Sequence, residues 1–160
     1  MLGEKIILKD SSNGDSRTCK KNVNGTEISD AIALHKQDVD NVMNCFANEL
    51  KRRGEEHDIT KITGFIDYST LVMDGVKDEE FLKSEWWIKH ITQERHHVTD
   101  YCPLDVNLFD ILEMIADRVT AEKGRTGSIN TNYLNIDKDI LLRAYWNTVR
   151  LLDEHTEREE

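Results

Sequence analysis

A chain of 160 residues is long enough for one domain with a sizeable core, and its formal charge of −10 argues against binding nucleic-acid backbones, which requires clustered Lys and Arg. A charged fraction of 32% beside a hydrophobic fraction of 38% is typical of a folded helical domain with solvated outer faces. The sequence contains no apolar run of membrane-spanning length and no signal-peptide core, so we predict a cytoplasmic protein, located in the host cytoplasm if a phage encodes it.

The sequence divides into three parts by composition and pattern. Residues 1–27 contain a short strand-like run and the turn-forming residues Ser11–Asp15, which predict an N-terminal arm or hairpin. Residues 28–155 carry helical patterns and every candidate metal ligand, so they are predicted to form a helical metal-binding domain. Residues 156–160 are mostly acidic and are predicted to be a disordered tail.

The first predicted helix starts near Ser29, a good N-cap, and ends at about Gly54. His35 lies three residues after Ile32 and four before Val39, on the apolar stripe of this helix, so it should point inward. An inward histidine is either a core residue bonded to a neighbour or a metal ligand, and both interpretations stay open here.

An adjacent His and Asp follow the end of this helix. His57 and Asp58 can place an imidazole nitrogen and a carboxylate oxygen on one transition-metal ion. The alternative for Asp58 is the N-cap of a following turn. If this segment is helical, Lys61 shares a face with Asp58 and could reach a phosphate oxygen beside the metal; otherwise it is an ordinary surface lysine.

Two histidines and a glutamate share one face of the helix predicted over residues 78–98. His90, Glu94 and His97 are spaced i, i+4 and i+7, which suits a polar strip lining a buried pocket; the alternative is a helix surface that happens to carry two histidines. His96 points about 100° away on a continuous helix. It is therefore a residue of a second face or, if the helix has ended, a neighbouring ligand.

Carboxylates follow one edge of the next predicted helix, which runs from about residue 107 to 121. Asp110, Glu113 and Asp117 are spaced i, i+3 and i+7, a pattern that usually marks a solvated face. Asp117 lies among apolar residues and is the better candidate for a buried carboxylate. Such a group needs a partner, and a metal ion is a good one. A last helix is predicted to begin near Asp137.

The order of these residues resembles the HD-domain superfamily of helical metal-dependent phosphohydrolases. His57–Ile62 is similar to that superfamily's His-Asp-Ile-Gly-Lys-Ile box, with Thr60 where Gly is usual, and Ile115–Val119 is similar to its Ala-Asp box. The pattern also resembles an uncharacterised family of small phage and bacterial proteins with a His-Asp-x-x-Lys box and a later His-His pair. The similar region covers about residues 28–122.

The resemblance implies an all-α, HD-domain-like bundle of about five to seven helices. It implies one metal held by four ligands and a second metal held by the later histidines. The first set is His35, His57, Asp58 and Asp117, and the second is His90 with His96 or His97. One or two divalent transition metals, drawn from Mn, Fe, Zn, Ni and Co, are therefore expected.

The reaction that fits this site is hydrolysis of a nucleotide or another small phosphate ester by a metal-bound hydroxide. In this hypothesis Lys61 or a second metal neutralises charge on the phosphoryl oxygens, and Glu94 or a free histidine protonates the leaving oxygen. Glu113 orients a ligand. No membrane or long nucleic acid is expected as a partner, and a homo-oligomer stays open.

Two other classes of protein remain open from the sequence. Glu94-x-x-His97 has the spacing found in di-iron carboxylate proteins, which suits an oxygenase-type site but needs a second copy that we do not find in the sequence. The acidic composition also fits a non-enzymatic, phage-type accessory protein that binds a nucleotide or a host protein.

Overall fold

The computed structural model describes residues 2–3, 5–12, 17, 22–129 and 135–159. In these residues the elements are β1 (Ile6–Leu8), α1 (Gly25–Glu56), α2 (Ile59–Thr63), α3 (Phe65–Met73), α4 (Asp78–Leu82), α5 (Glu85–Gln93), α6 (Leu108–Thr126), α7 (Lys138–His155) and β2 (Thr156–Arg158). The prediction of an all-α fold with about five to seven helices is confirmed. None of the helices described is long and apolar enough to cross a membrane.

The chain forms two compact units, which differ from the predicted division at residues 27 and 155. The first unit comprises residues 1–51 and 149–160, and the second comprises residues 52–148. The helices α1 and α7 each contribute residues to both units. The boundaries therefore fall inside helices, where no linker composition marks them.

A small parallel sheet joins the two terminal segments within the first unit. Ile6 of β1 pairs with Thr156 of β2, and Leu8 pairs with Arg158. The Glu159 N–H extends this pairing by donating to the Leu8 carbonyl at 2.9 Å. β1 thus pairs with the other end of the chain and not with a hairpin partner, and residues 156–158 form a strand and not the predicted disordered tail.

Ion pairs accompany the strand at the acidic end of the chain. Lys5 contacts Glu157, and Lys9 Nζ lies 3.1 Å from Glu159 Oε1, so the glutamates neutralise lysines that flank β1. The predicted turn at Ser11–Asp15 lies partly outside the described residues. Within the described part of the predicted arm, β1 is the strand, and its Ile6 is buried.

The second unit has a core formed around the start of α6. Its buried apolar residues are Val98, Val106, Ile111, Met114 and Ala144. A capping box fixes the first turn of α6, because the Asn107 side chain accepts the Phe109 and Asp110 N–H groups while the Asp110 side chain accepts the Asn107 N–H. The register of α6, and with it the direction of every side chain it carries, is therefore set at this end.

The helix predicted over residues 78–98 is interrupted twice. The first piece, α4, ends at Leu82, and Ser84 caps the second piece by accepting the Trp87 N–H at 3.1 Å. α5 then stops at Gln93, and Glu94 takes an extended backbone conformation with φ −88° and ψ 104°. His96 and His97 consequently lie in a turn, where neighbouring side chains are not held about 100° apart as they are on a helix.

Candidate metal centre

Imidazole nitrogens and carboxylate oxygens converge in the second unit. One group consists of Asp58, His90, His96 and His97, and the other consists of His57, His96 and Asp117. Within each group the ligand atoms lie within 4.8 Å of one another, and His96 belongs to both groups. All the predicted ligands except His35 are thus brought together.

His35 is the predicted ligand that the structure does not place with the others. It is an exposed residue of α1, in the first unit. The apolar stripe that suggested an inward histidine does not bury His35, because Ile32 and Val39 on the same stripe are exposed as well.

Asp58 occupies the N-cap position of α2 but does not use its side chain as a cap. Its backbone is in the left-handed region, with φ 56° and ψ 26°, and its carboxylate accepts no capping hydrogen bond. Glu94 replaces it, since Glu94 Oε1 accepts the Thr60 N–H at 2.8 Å. The Asp58 carboxylate is therefore available for other contacts.

The two carboxylate oxygens of Asp58 face the two groups of ligands. Oδ1 lies 3.5 Å from His90 Nε2 and 3.8 Å from His96 Nε2, and it is buried without a hydrogen-bond partner among the described residues. Oδ2 lies 3.4 Å from His57 Nε2 and contacts the Lys61 ammonium group. A buried carboxylate oxygen without a donor is costly, and a cation among these atoms would remove that cost.

Glu113 contacts the Nδ1 atoms of two histidines. Its Oε1 lies 3.1 Å from His57 Nδ1 and 3.2 Å from His96 Nδ1, although the second contact does not have hydrogen-bond geometry. A carboxylate behind Nδ1 directs the Nε2 lone pair of a histidine away from it. This leaves Nε2 of His57 facing Asp58 and Asp117, the latter at 3.5 Å.

His90 and His97 also have a polar neighbour at Nδ1. His90 Nδ1 lies 2.6 Å from the Thr60 hydroxyl, and His97 Nδ1 lies 3.4 Å from Asp100 Oδ2. Their Nε2 atoms are 2.9 Å apart. All four Nδ1 atoms thus have a polar neighbour, and all four Nε2 atoms face the shared space where a metal would bind.

A buried ion network fixes Glu113 from behind. Arg53 lies 3.2 Å from Glu113 Oε2 and 2.6 Å from Asp110 Oδ1, and Arg95 donates two further hydrogen bonds to Asp110. Asp110 has no exposed surface. The network ties the end of α1 and the turn after α5 to the first turn of α6, so Glu113 has little freedom to move.

Charge coupling separates the protonation states of the histidines. Hydrogen bonds to Asp117 and Glu113 raise the pKa of His57 to about 10. Burial, together with the neighbouring His97, lowers the pKa of His90 to about 4. Although burial opposes it, the contacts with His57 and His96 hold the pKa of Glu113 well below its usual range, and the contact with His57 lowers the pKa of Asp117. Glu113 and Asp117 are therefore ionised at neutral pH.

The comparison with protein families assigns most of the chain to a recognised group of sequences. The model of DUF5662, a family of unknown function, matches residues 25–154. The chain belongs to this family. The searches of curated proteins and of solved structures found no match.

Glu94 of this DUF5662 protein does not lie where the sequence predicts it. The sequence predicts that Glu94 faces the site from the same helix as His90, where Glu94 or a free histidine would protonate a leaving group. Because α5 ends at Gln93, Glu94 instead turns to the start of α2 and caps Thr60, and its side chain is buried.

Three residues of the candidate site were missed from the sequence. Arg53, Thr60 and Asp100 each contact a ligand or the carboxylate that orients one. Asp100 has one available signal, its position three residues after His97 in a turn-forming segment. The contacts of Arg53 and Thr60 reach residues 60 and 30 positions away, respectively, and have no local signal.

Proposed function

We propose that this DUF5662 protein is a metal-dependent phosphohydrolase that acts on a nucleotide or another small phosphate ester. The observation that carries the proposal is the convergence of four histidine Nε2 atoms on Asp58, whose buried Oδ1 has no donor among the described residues. A mixed set of imidazole and carboxylate ligands suits Mn, Fe, Co, Ni or Zn.

The two ligand groups differ in access to solvent, which suggests different uses. His90 and His96 are only 1% and 2% exposed. The side chains of His57 and Asp117, in the three-residue group, are 26% and 28% exposed. A substrate arriving from solvent would therefore meet the group of His57, His96 and Asp117 first. Three protein ligands leave coordination positions open there.

A divalent metal held by these residues would act as a Lewis acid and lower the pKa of a water molecule. Lys61 is the positive side chain best placed to assist. Its ammonium group contacts Asp58 Oδ2, and its side chain is 37% exposed, so it can also approach a phosphoryl oxygen from the solvent side. Glu113 and Asp100 hold His57 and His97 in the orientation that a ligand needs.

The net charge of −10 supports a small substrate over a polymer. A long nucleic acid needs an extended row of Lys and Arg, whereas one small phosphate ester needs a metal and a single cation such as Lys61. A nucleotide or another small phosphate ester meets this requirement.

Elemental analysis of the purified protein tests the metal site directly. We expect one or two transition-metal equivalents per chain, with most of the metal lost in Asp58→Asn. His35→Gln is the matched control, because it removes a predicted ligand that lies outside both groups, and it should keep the metal content of the wild type. Failure to bind Mn, Fe, Co, Ni or Zn even after reconstitution, or a full content in Asp58→Asn, would overturn the proposal.

Phosphate release from a panel of nucleotides and small esters tests the reaction separately. The metal-loaded protein should hydrolyse at least one of them, and Asp117→Asn should reduce the rate by at least about 100-fold while the protein remains folded. A fully loaded protein that releases phosphate from none of them would refute hydrolysis and leave the metal site standing.

Iron-dependent oxygenation is a second candidate because of one specific feature. His57, His96 and Asp117 form a set of two histidines and one carboxylate, the combination used by non-haem Fe(II) oxygenases. Oxygen uptake by the Fe(II)-loaded protein, absent in Asp117→Asn and unaccompanied by phosphate release, would favour this candidate over hydrolysis.

A further inference from the structure

Thr60 connects the His57–Asp58 segment to the histidine of α5 through two of its atoms. Its N–H donates to Glu94 Oε1 at 2.8 Å, and its hydroxyl lies 2.6 Å from His90 Nδ1. Thr60 is 9% exposed and His90 is 1% exposed, so water is excluded from the contact between them. Thr60 also stands at the position where the HD-type box usually has Gly, which has no hydroxyl to offer.

The ring of His90 is fixed on its face as well as at Nδ1. The Trp86 indole stacks on it with centroids 4.9 Å apart and an interplanar angle of 13°. Trp86 can pack closely because Gly64 lies beside it; a Cβ there would be 3.0 Å from Trp86 Nε1. The imidazole plane is therefore held, and the remaining freedom of His90 is which nitrogen carries the proton.

The hydroxyl of Thr60 is the group that can decide this choice. A neutral imidazole carries one N–H, and a hydroxyl can either accept a hydrogen bond from Nδ1–H or donate one to a bare Nδ1. Only the first arrangement leaves a lone pair on Nε2, which faces Asp58 Oδ1 at 3.5 Å and His97 Nε2 at 2.9 Å. The second would place a hydrogen in the space that a metal must occupy.

We propose that Thr60 is a positioning residue whose hydroxyl accepts a hydrogen bond from His90 Nδ1 and so presents His90 Nε2 as a metal ligand. This inference rests on the proposed metal site. It assigns Thr60 to the group formed by Asp58, His90, His96 and His97. The group of His57, His96 and Asp117 has its own orienting carboxylate and does not depend on Thr60.

Two substitutions at this position separate the hydroxyl from the volume of the side chain. Thr60→Val keeps the shape and removes the hydroxyl, whereas Thr60→Ser keeps the hydroxyl and removes a methyl group. Losing the partner of a metal-bound histidine typically weakens metal binding by about 10–100-fold. We expect Thr60→Val to weaken one class of Co²⁺ site by that factor, and Thr60→Ser to stay within about threefold of the wild type.

Titration of metal-free protein with Co²⁺ alone, followed by absorption, gives the stoichiometry and affinity of each class of site. Wild type that binds no Co²⁺ would count against the metal site itself. Wild type that binds, with Thr60→Val binding equally tightly in all classes, would overturn the role of Thr60 and leave the metal site intact.

A second measurement needs no substitution and no metal. Nitrogen NMR of ¹⁵N-histidine-labelled wild-type protein distinguishes the two neutral tautomers of His90, with the resonance of its ring assigned from His90→Gln. We expect the proton on Nδ1. A proton on Nε2 would overturn the proposal even if Thr60→Val fails to fold.

Discussion

Asp110 is the centre of the buried ion network that holds Glu113 of the candidate site. Asp110→Asn tests how much this network contributes to the stability of the protein. The carboxylate has no exposed surface and accepts hydrogen bonds from Arg53 at 2.6 Å, from Arg95 at 2.8 and 2.9 Å, and from the Asn107 N–H at 2.9 Å. The substitution keeps the shape of the side chain. It removes the negative charge, and it turns one acceptor into a donor that faces a cation.

The decrease in the free energy of unfolding depends on the solvation and the contacts that Arg53 and Arg95 have after the substitution. Removing one partner of a buried ion pair costs about 3–5 kcal/mol. Arg95 is 35% exposed, so water can solvate its released charge. Arg53 is only 9% exposed but keeps Glu113 at 3.2 Å. Both features reduce the loss, and we expect a decrease of about 3 kcal/mol in the free energy of unfolding.

Urea unfolding followed by tryptophan fluorescence measures the decrease in the free energy of unfolding in the unit that contains Asp110. The three tryptophans of the chain, Trp86, Trp87 and Trp146, all lie in the second unit. With a slope of about 2 kcal/mol per molar urea, a loss of 3 kcal/mol lowers the midpoint by about 1.5 M.

Asp105→Asn is the matched control, because it removes another carboxylate that contacts the same Arg95. Asp105 is 78% exposed and lies 3.1 Å from Arg95, and such surface pairs contribute about 0–1 kcal/mol. A loss below about 1 kcal/mol in Asp110→Asn, or one equal to that of Asp105→Asn, would show that burial of the pair does not set its contribution.

Three further outcomes follow from the site and its surroundings. Because the pKa of His57 is raised to about 10 and a ligand must be neutral, Zn²⁺ uptake at pH 8 should release about one proton, and calorimetric heats that do not vary with the ionisation enthalpy of the buffer would contradict this. The pKa of His90 is lowered from 6.5 to about 4, so the unfolded state binds more protons between these values. The metal-free protein should therefore lose stability as the pH falls from 6.5 to 4, and His90→Gln should flatten that part of the curve of urea midpoint against pH. Gly64→Ala should destabilise the protein by about 1–3 kcal/mol, because the new Cβ meets Trp86 and the backbone. Gly124→Ala should stabilise α6 by about 0.5–1 kcal/mol, because no atom lies within 4 Å of the new Cβ. Equal urea midpoints for the two variants would contradict this difference in packing.

The sequence alone predicted most of the candidate ligands because their spacing is local. His57 and Asp58 are adjacent, and the four-residue step from Glu113 to Asp117 is one turn of α6. These relations survive small errors in helix boundaries. They fix which side chains lie near each other along one element, whereas the expectation that the elements meet in one site came from the resemblance to the HD-domain superfamily.

The errors arose where tertiary contacts overrode the local pattern. Nothing in residues 90–98 resembles a helix stop, and the break after Gln93 is stabilised by the bond from Thr60 to Glu94, 34 positions away. An apolar stripe on α1 predicted an inward His35, but His35, Ile32 and Val39 on that stripe are all exposed. The pairing of β1 with β2 joins residues 150 positions apart, beyond any periodic signal.

The left-handed backbone of Asp58 has a consequence for laboratory evolution. A non-glycine residue at φ 56° costs on the order of 1 kcal/mol, and glycine adopts this conformation without that cost. A screen that rewards only heat resistance would treat position 58 as a defect and select Asp58→Gly. The selected variants would be more thermally stable but would lack the carboxylate on which the histidines converge. Directed evolution of this protein therefore needs a selection for metal binding alongside the thermal one.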